Sequence, residues 1–234
     1  MPPLRRGRYK GMPGPDVAIV DYRMGNMFSV KHACEYVGLN PFVTSNSDEI
    51  TSADGIILPG VGAFGDAMEN LRKLDLISPI MDYIESGKPF MGICLGMQLL
   101  MTESEEFGRH NGLDVIKGSV VKFPLNGNGD MDRVKVPQVG WNRIERPDCR
   151  AEDLWAGTPL AGVANGEFMY FVHSYYAMPA DADAVLTVTE YGPVRYCSGV
   201  RRGNVFAFQF HPEKSAMEGM RIYKNWAAMI KARE

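Results

Sequence analysis

The first half of the chain alternates strand-length apolar runs with helix-spaced ones, and few architectures accept that pattern. The runs are DVAIVDY (Asp16–Tyr22), PFVT (Pro41–Thr44), DGIILPG (Asp54–Gly60) and KPFMGI (Lys88–Ile93). Between the first two, NMFSVKHACEYVG sets Val30, Ala33, Cys34 and Val37 at helical spacing, which makes Cys34 a core residue. Asp66 is the expected N-cap of a helix carrying Ala67, Met68 and Leu71, and a second helix is predicted over about Ile77–Ser86, ended by Gly87. LGMQLLM then opens a helix after KPFMGI. Strands joined through helices need crossover connections, so the expectation is an α/β fold with a mostly parallel sheet flanked by helices.

The second half reads differently. SVVKF, EFMYFVHSYY, DAVLTVTEY, RYCSGVRR and NVFAFQFH are strand-like and separated by short polar turns, which predicts antiparallel additions to the parallel core. NGNGD (Asn126–Asp130) reads as a flexible loop or hairpin tip. Over Ser215–Arg233, Met220, Tyr223, Ala227 and Ile230 fall on one face of a closing helix. No internal repeat or linker interrupts the pattern, so one domain is expected over residues 15–234. Residues 1–14 are read as a disordered leader, because their Pro and Gly content gives them little to bury.

Composition narrows the function classes. With 45% hydrophobic and 23% charged residues the chain is an ordinary soluble globular protein, and a formal charge of −3 argues against a dedicated nucleic-acid partner. No apolar run approaches the roughly 20 residues that span a bilayer, and the basic start has no apolar stretch behind it to form a secretion signal. Cys34, Cys94, Cys149 and Cys197 show no CxxC or short Cys/His pairing, so neither a metal site nor a disulfide framework is expected. Reduced thiols and a cytoplasmic location follow as expectations, with no cofactor implied.

One thiol stands out. In MGICLG, Cys94 has the form G-x-C-x-G between a strand and a helix, the thiol version of a nucleophile elbow. The glycines relieve collisions at a sharp turn, and the following helix aims its first N–H groups at the sulfur, which favours thiolate. The Leu95 N–H is then placed to hold a developing oxyanion. A thiol nucleophile needs a base, and the four histidines are His32, His110, His173 and His211. His32 lies in the first helix and His110 in a polar loop, so both read as surface residues. His173 and His211 end strands, where groups converge on the crevice of an α/β sheet. His173 reads as a hydrogen-bonded structural residue. For His211, the adjacent Pro212 and Glu213 favour catalysis, since a stiffened turn lets the carboxylate orient the imidazole.

GICLGMQ and FQFHPEKS together resemble the signatures of class I glutamine amidotransferases, which places nucleophile, base and orienting acid on Cys94, His211 and Glu213. IVDYRMGNMFSV, ILPGVGAFGDAM, KVPQVGWN and YFVHSYY are further similar to the glutaminase subunits of imidazole glycerol phosphate synthases, from about Asp16 to the end. Arg23 departs from that pattern, standing where DYGMGN has glycine. The resemblance implies a flavodoxin-like fold, hydrolysis of L-glutamine to glutamate and ammonia, and a heterodimer with a (β/α)8-barrel cyclase subunit. Ammonia would pass to that subunit to make imidazole glycerol phosphate and an aminoimidazole carboxamide ribotide in histidine biosynthesis.

It also implies a second oxyanion donor from PGVG, where the Val61–Gly62 peptide, with Gly60 before it, could rotate its N–H in or out. A loop of that kind would keep hydrolysis low until the partner is loaded. Gly60, Gly62, Leu95, Gln98, Glu106, Ser174 and Tyr175 would surround the glutamine. Gln98 has independent support, lying one helical turn past Cys94 on the same face. Without the resemblance, Glu103, Glu105 and Glu106 read as a solvated charge run. Trp141, Asn142, Tyr170 and Lys214 are candidates for the partner surface, while Cys149 and Cys197 are incidental.

Three other readings stay open. The same glutaminase could feed a paralogous barrel synthase that builds amidino groups on surface sugars. The chain could be a non-catalytic interaction subunit that kept the fold, or a γ-glutamyl hydrolase sharing the elbow.

Overall fold

A computed structural model describes residues 14–124, 135–147 and 154–233. Its elements run β1 (Asp16–Val20), α1 (Met27–Tyr36), β2 (Asn40–Thr44), α2 (Ser47–Ser52), β3 (Gly55–Gly60), α3 (Phe64–Lys73), α4 (Ile77–Glu85), β4 (Phe90–Cys94) and α5 (Leu95–Leu99). There follow β5 (Met101–Ser104), β6 (His110–Asn111), β7 (Ile116–Lys122), β8 (Gln138–Ile144), β9 (Glu167–His173), β10 (Tyr175–Pro179), β11 (Val185–Tyr191), β12 (Val194–Arg202), β13 (Val205–Phe208) and α6 (Ala216–Lys231). The expected leader falls almost wholly outside the described residues, as do NGNGD and Cys149. Gly14, the first described residue, is exposed and lies close to Gly38: a Cβ there would meet the Gly38 carbonyl oxygen at 2.4 Å.

The strands β2-β1-β3-β4-β13 lie side by side and parallel, the flavodoxin-like order expected for a doubly wound sheet. Beyond β13 the sheet continues through β12, β10 and β7, paired antiparallel. The central strands are apolar on both faces because both are covered. In β1, Ala18 and Val20 pack on the side of α2, α3 and α4, and Val17 and Ile19 on the side of α1 and α6.

Three expectations need correction. Asp66 is not the N-cap of α3, which begins two residues earlier with Ala63 at the cap. Ala63 has no capping side chain, and the orphan N–H of Phe64 is met instead by the distant carboxylate of Glu106, at 2.6 Å. The helix opened by LGMQLLM stops at Leu99, since Met101 already pairs with β7. EFMYFVHSYY is two strands: β9 pairs with β8 in a separate two-stranded ribbon, and β10 joins the main sheet. The chain changes sheet at Ser174, whose carbonyl accepts from Phe123 N–H.

Candidate active site

Cys94 ends the central strand β4 and adopts φ 54° and ψ −110°, a backbone conformation that an L-residue holds only where its surroundings enforce it. The glycines on either side explain how the turn closes. A Cβ on Gly96 would lie 1.7 Å from the Leu58 carbonyl oxygen, and one on Gly92 would meet Ala207 Cβ at 2.8 Å and the Gly96 oxygen at 3.1 Å. The G-x-C-x-G pattern is thus a packing requirement of three adjacent parallel strands. It leaves Cys94 at the carboxyl end of the sheet, 6% exposed.

The neighbouring strand delivers the next groups. β13 runs parallel to β4 with Phe208 beside Ile93, so Gln209 comes level with Cys94 and His211 lies beyond. Gln209 Nε2 lies 3.6 Å from Cys94 Sγ, and Gln209 Oε1 accepts from Gln98 Nε2 at 2.9 Å. The His211 backbone is pinned from both sides: its N–H donates to the Tyr170 carbonyl, and its carbonyl accepts from Ser215 Oγ. Its ring is buried, with Nδ1 held 2.7 Å from Glu213 Oε1 across the 3-10 turn Pro212–Lys214. Proline as the first residue of that turn fixes the geometry by which an i, i+2 pair meets.

Electrostatics favour a protonated imidazole. Burial alone would lower the His211 pKa, but its interactions with Cys94 and Glu213 outweigh it and raise the group to about 10. Nε2, the nitrogen not engaged by Glu213, finds no partner among the described residues within strict hydrogen-bonding geometry, as often happens before substrate tightens a site. His173 behaves in the opposite way. Its nitrogens face the Tyr175 carbonyl and the Tyr196 hydroxyl, and burial lowers its pKa to about 4, so it is a neutral structural group.

Around these residues the structure sorts the remaining candidates. Gly60 pairs with Cys94 across β3 and β4, so the Val61–Gly62 loop leaves the sheet beside the thiol, with Val61 exposed and Gly62 at φ 107°. A side chain at Gly60 would strike the Tyr22 hydroxyl, which is itself bound to the Pro59 carbonyl. Leu95 begins α5 directly after the thiol. Gln98 donates to the Tyr175 carbonyl as well as to Gln209, tying α5, β10 and β13 together under the site. The charge run separates by role: Glu103 pairs with exposed Arg109, Glu105 is solvated, and Glu106 turns inward to α3. Burial raises the Glu106 pKa against the opposing bond from Phe64. Ser174 and Tyr175 sit half-buried where β9 gives way to β10, and Tyr175 feels the Glu106 charge.

The β8–β9 ribbon roofs the thiol, with the Val172 carbonyl 3.9 Å from Cys94 Sγ. Its outer face presents Val139, Trp141 and Phe168 to solvent. Trp141 meets Tyr170 edge-to-face at 6.2 Å, and Lys214 Nζ lies 5.7 Å over the Tyr170 ring. Asn142 stands apart from this group, since its amide donates to the Glu190 carbonyl on β11. The residue that sequence reasoning missed is Gln209. Its signal was a lone amide within the apolar strand FAFQF, opposite Cys94 once the two strands are paired.

The model of the family described as glutamine amidotransferase class-I matches residues 18–229. The chain belongs to that family. The amidotransferase is 47% identical over 214 residues to the imidazole glycerol phosphate synthase subunit HisH of Syntrophotalea carbinolica, covering 91% of this chain and all of that one. It is also 47% identical to the protein of the same name from Aquifex aeolicus, over 89% of this chain and 94% of that one. Among solved structures, PurLQS from Thermotoga maritima superposes with a TM-score of 0.67 at 20% identity, covering 94% of this amidotransferase and 99% of that chain. The glutaminase domain of Trypanosoma brucei CTPS gives 0.56 at 16% identity, over 94% and 95%. At those identities the likeness concerns the fold alone.

Proposed function

We propose that the chain is the glutaminase subunit of an imidazole glycerol phosphate synthase, with Cys94 as nucleophile, His211 as base and acid, and Glu213 as the group that orients His211. The observation that carries this reading is the meeting of one thiol, one imidazole and the buried carboxylate that holds it at the carboxyl end of β4 and β13. The names borne by relatives at 47% identity support the assignment to histidine biosynthesis.

The chemistry follows from the geometry. His211, oriented by Glu213, takes the proton of Cys94, and the resulting thiolate attacks the side-chain amide carbon of glutamine while the carbonyl electrons move to oxygen. Leu95 N–H and a rotated Gly62 N–H hold that oxyanion, each donor contributing roughly 3–4 kcal/mol to lowering the barrier. His211 passes its proton to the amide nitrogen, the C–N bond breaks, and ammonia leaves. Water, deprotonated by His211, then attacks the thioester, releasing glutamate and restoring the thiolate. Gln98, Glu106, Ser174 and Tyr175 surround the glutamine, with the Glu106 carboxylate suited to its ammonium.

The partner is a (β/α)8-barrel cyclase subunit, seated on the outer ribbon face where Trp141, Tyr170 and Lys214 adjoin Val139 and Phe168. Tyr170 touches both Trp141 and His211, so a partner on that face adjoins the chemistry. Reconstitution with the cyclase subunit of the same organism tests the reading. Glutamine-dependent formation of imidazole glycerol phosphate is expected. Amination of a surface-sugar precursor by another barrel synthase, with no product from the cyclase, would overturn the pathway while leaving the glutaminase chemistry intact.

A further inference from the structure

Glu213 uses only half of its carboxylate. Oε1 is held by His211, while Oε2 is buried and has no hydrogen-bond partner among the described residues. A carboxylate oxygen enclosed without a donor is strongly disfavoured, so a donor at this point has a large effect. Two helices close over the turn that carries Glu213. From α1 comes Cys34, a weak donor, and from α6 comes Tyr223, whose hydroxyl is likewise buried and without a partner. Both groups feel the Glu213 charge.

The approach of α6 explains why Tyr223 reaches this point. Gly219 sits against the turn so tightly that a Cβ would lie 1.9 Å from the Pro212 carbonyl oxygen. Tyr223 is one helical turn later on the same face, and helical side chains lean back over the preceding turn, here toward the gap left by glycine. Trp226, the other aromatic on α6 with an unpartnered buried donor, lies against Gly55 at the opposite end of β3 from Gly60. Burial, and after it the charge of Glu213, keep the Tyr223 phenol protonated and able to donate.

We infer that Tyr223 is a positioning residue whose hydroxyl donates to Glu213 Oε2 across one buried water, fixing the carboxylate that aligns His211. The inference rests on the Cys94–His211–Glu213 reading. It gives the helix that closes the chain a part in catalysis without contact to substrate.

The test is glutamine hydrolysis by the complex of the full chain with its synthase partner. Tyr223→Phe keeps the ring and removes only the donor. Its kcat is expected to fall roughly ten- to hundredfold, the range for one hydrogen bond to a buried charge, with KM for glutamine unchanged and the melting temperature lowered. In a Glu213→Gln background the same substitution should change kcat less than about twofold, because the acceptor charge is already gone. Cys34→Ala should hydrolyse glutamine at the parent rate. Parental kcat in Tyr223→Phe beside an impaired Glu213→Gln would overturn the inference alone. A fall in Cys34→Ala with none in Tyr223→Phe would move the donor to the thiol and also overturn it. Parental kcat in Glu213→Gln would overturn the triad reading and this inference with it.

Discussion

Gln209, one residue past the end of β13, comes level with Cys94 at the end of the adjacent parallel strand β4, with the Gln209 amide 3.6 Å from the sulfur. Gln209 has a second tie to Gln98, which reaches on to the Tyr175 carbonyl. Cys94 therefore sits on a polar brace linking α5, β10 and the end of β13. Gln209→Leu fills similar space but removes the brace and strands one Gln98 donor. Glutamine hydrolysis should fall roughly tenfold, and urea denaturation should show a loss of about 1–3 kcal/mol. Unchanged values in both assays would make the contact incidental.

Arg23 holds φ 70°, the left-handed region that glycine enters freely, and its N–H binds Asp21 Oδ1. The family pattern with glycine at this position thus has a backbone cause. Arg23→Gly should raise stability by about 1 kcal/mol, the strain of a non-glycine residue in that region being of order 1–3 kcal/mol and partly offset by glycine's greater unfolded freedom. A chemical melt of the two proteins decides it, and a less stable variant would contradict the account.

Two histidines shape the pH dependence of stability in opposite senses. The His211 pKa is raised in the folded state to about 10 from an ordinary 6.5, so its contribution is full below pH 6.5 and is lost as pH rises toward 10. The His173 pKa is lowered to about 4, so the unfolded chain binds the extra proton first, and stability falls as pH drops from 6.5 toward 4. Melts across this range should pass through a maximum near pH 6.5. His211→Asn should flatten the alkaline side and His173→Asn the acid side.

Much of this was legible in the sequence because the governing signals are local. Apolar runs and helical spacing mark β1 through β4 and the helices α1, α3 and α4, though not the short α2, and G-x-C-x-G marks the turn at Cys94. The ribbon β8–β9 was not legible, since EFMYFVHSYY reads as one strand until Ser174 is seen to change sheets. Glu106 gave no local sign that it caps a helix far back along the chain, and Gln209 acquires meaning only when β13 is laid beside β4. Long-range register is tertiary information, and side-chain alternation alone does not encode which strand lies next to which.

On the outer ribbon face, Trp141 is 52% exposed and braced by Tyr170, the state of an aromatic anchor awaiting a pocket. Trp141→Ala should weaken binding of the synthase partner by about 2 kcal/mol or more, close to thirtyfold in Kd. Calorimetric titration measures this, and an unchanged Kd would place the interface elsewhere.

Covalent trapping at the thiol reaches the core of the account. Incubation with an electrophilic glutamine analogue, followed by peptide mass mapping and a glutamate-release assay, should find the label on Cys94 alone, prevented by excess glutamine, with activity lost in proportion. Full labelling of Cys94 with glutamate release undiminished, or inactivation with the label on another residue, would contradict it.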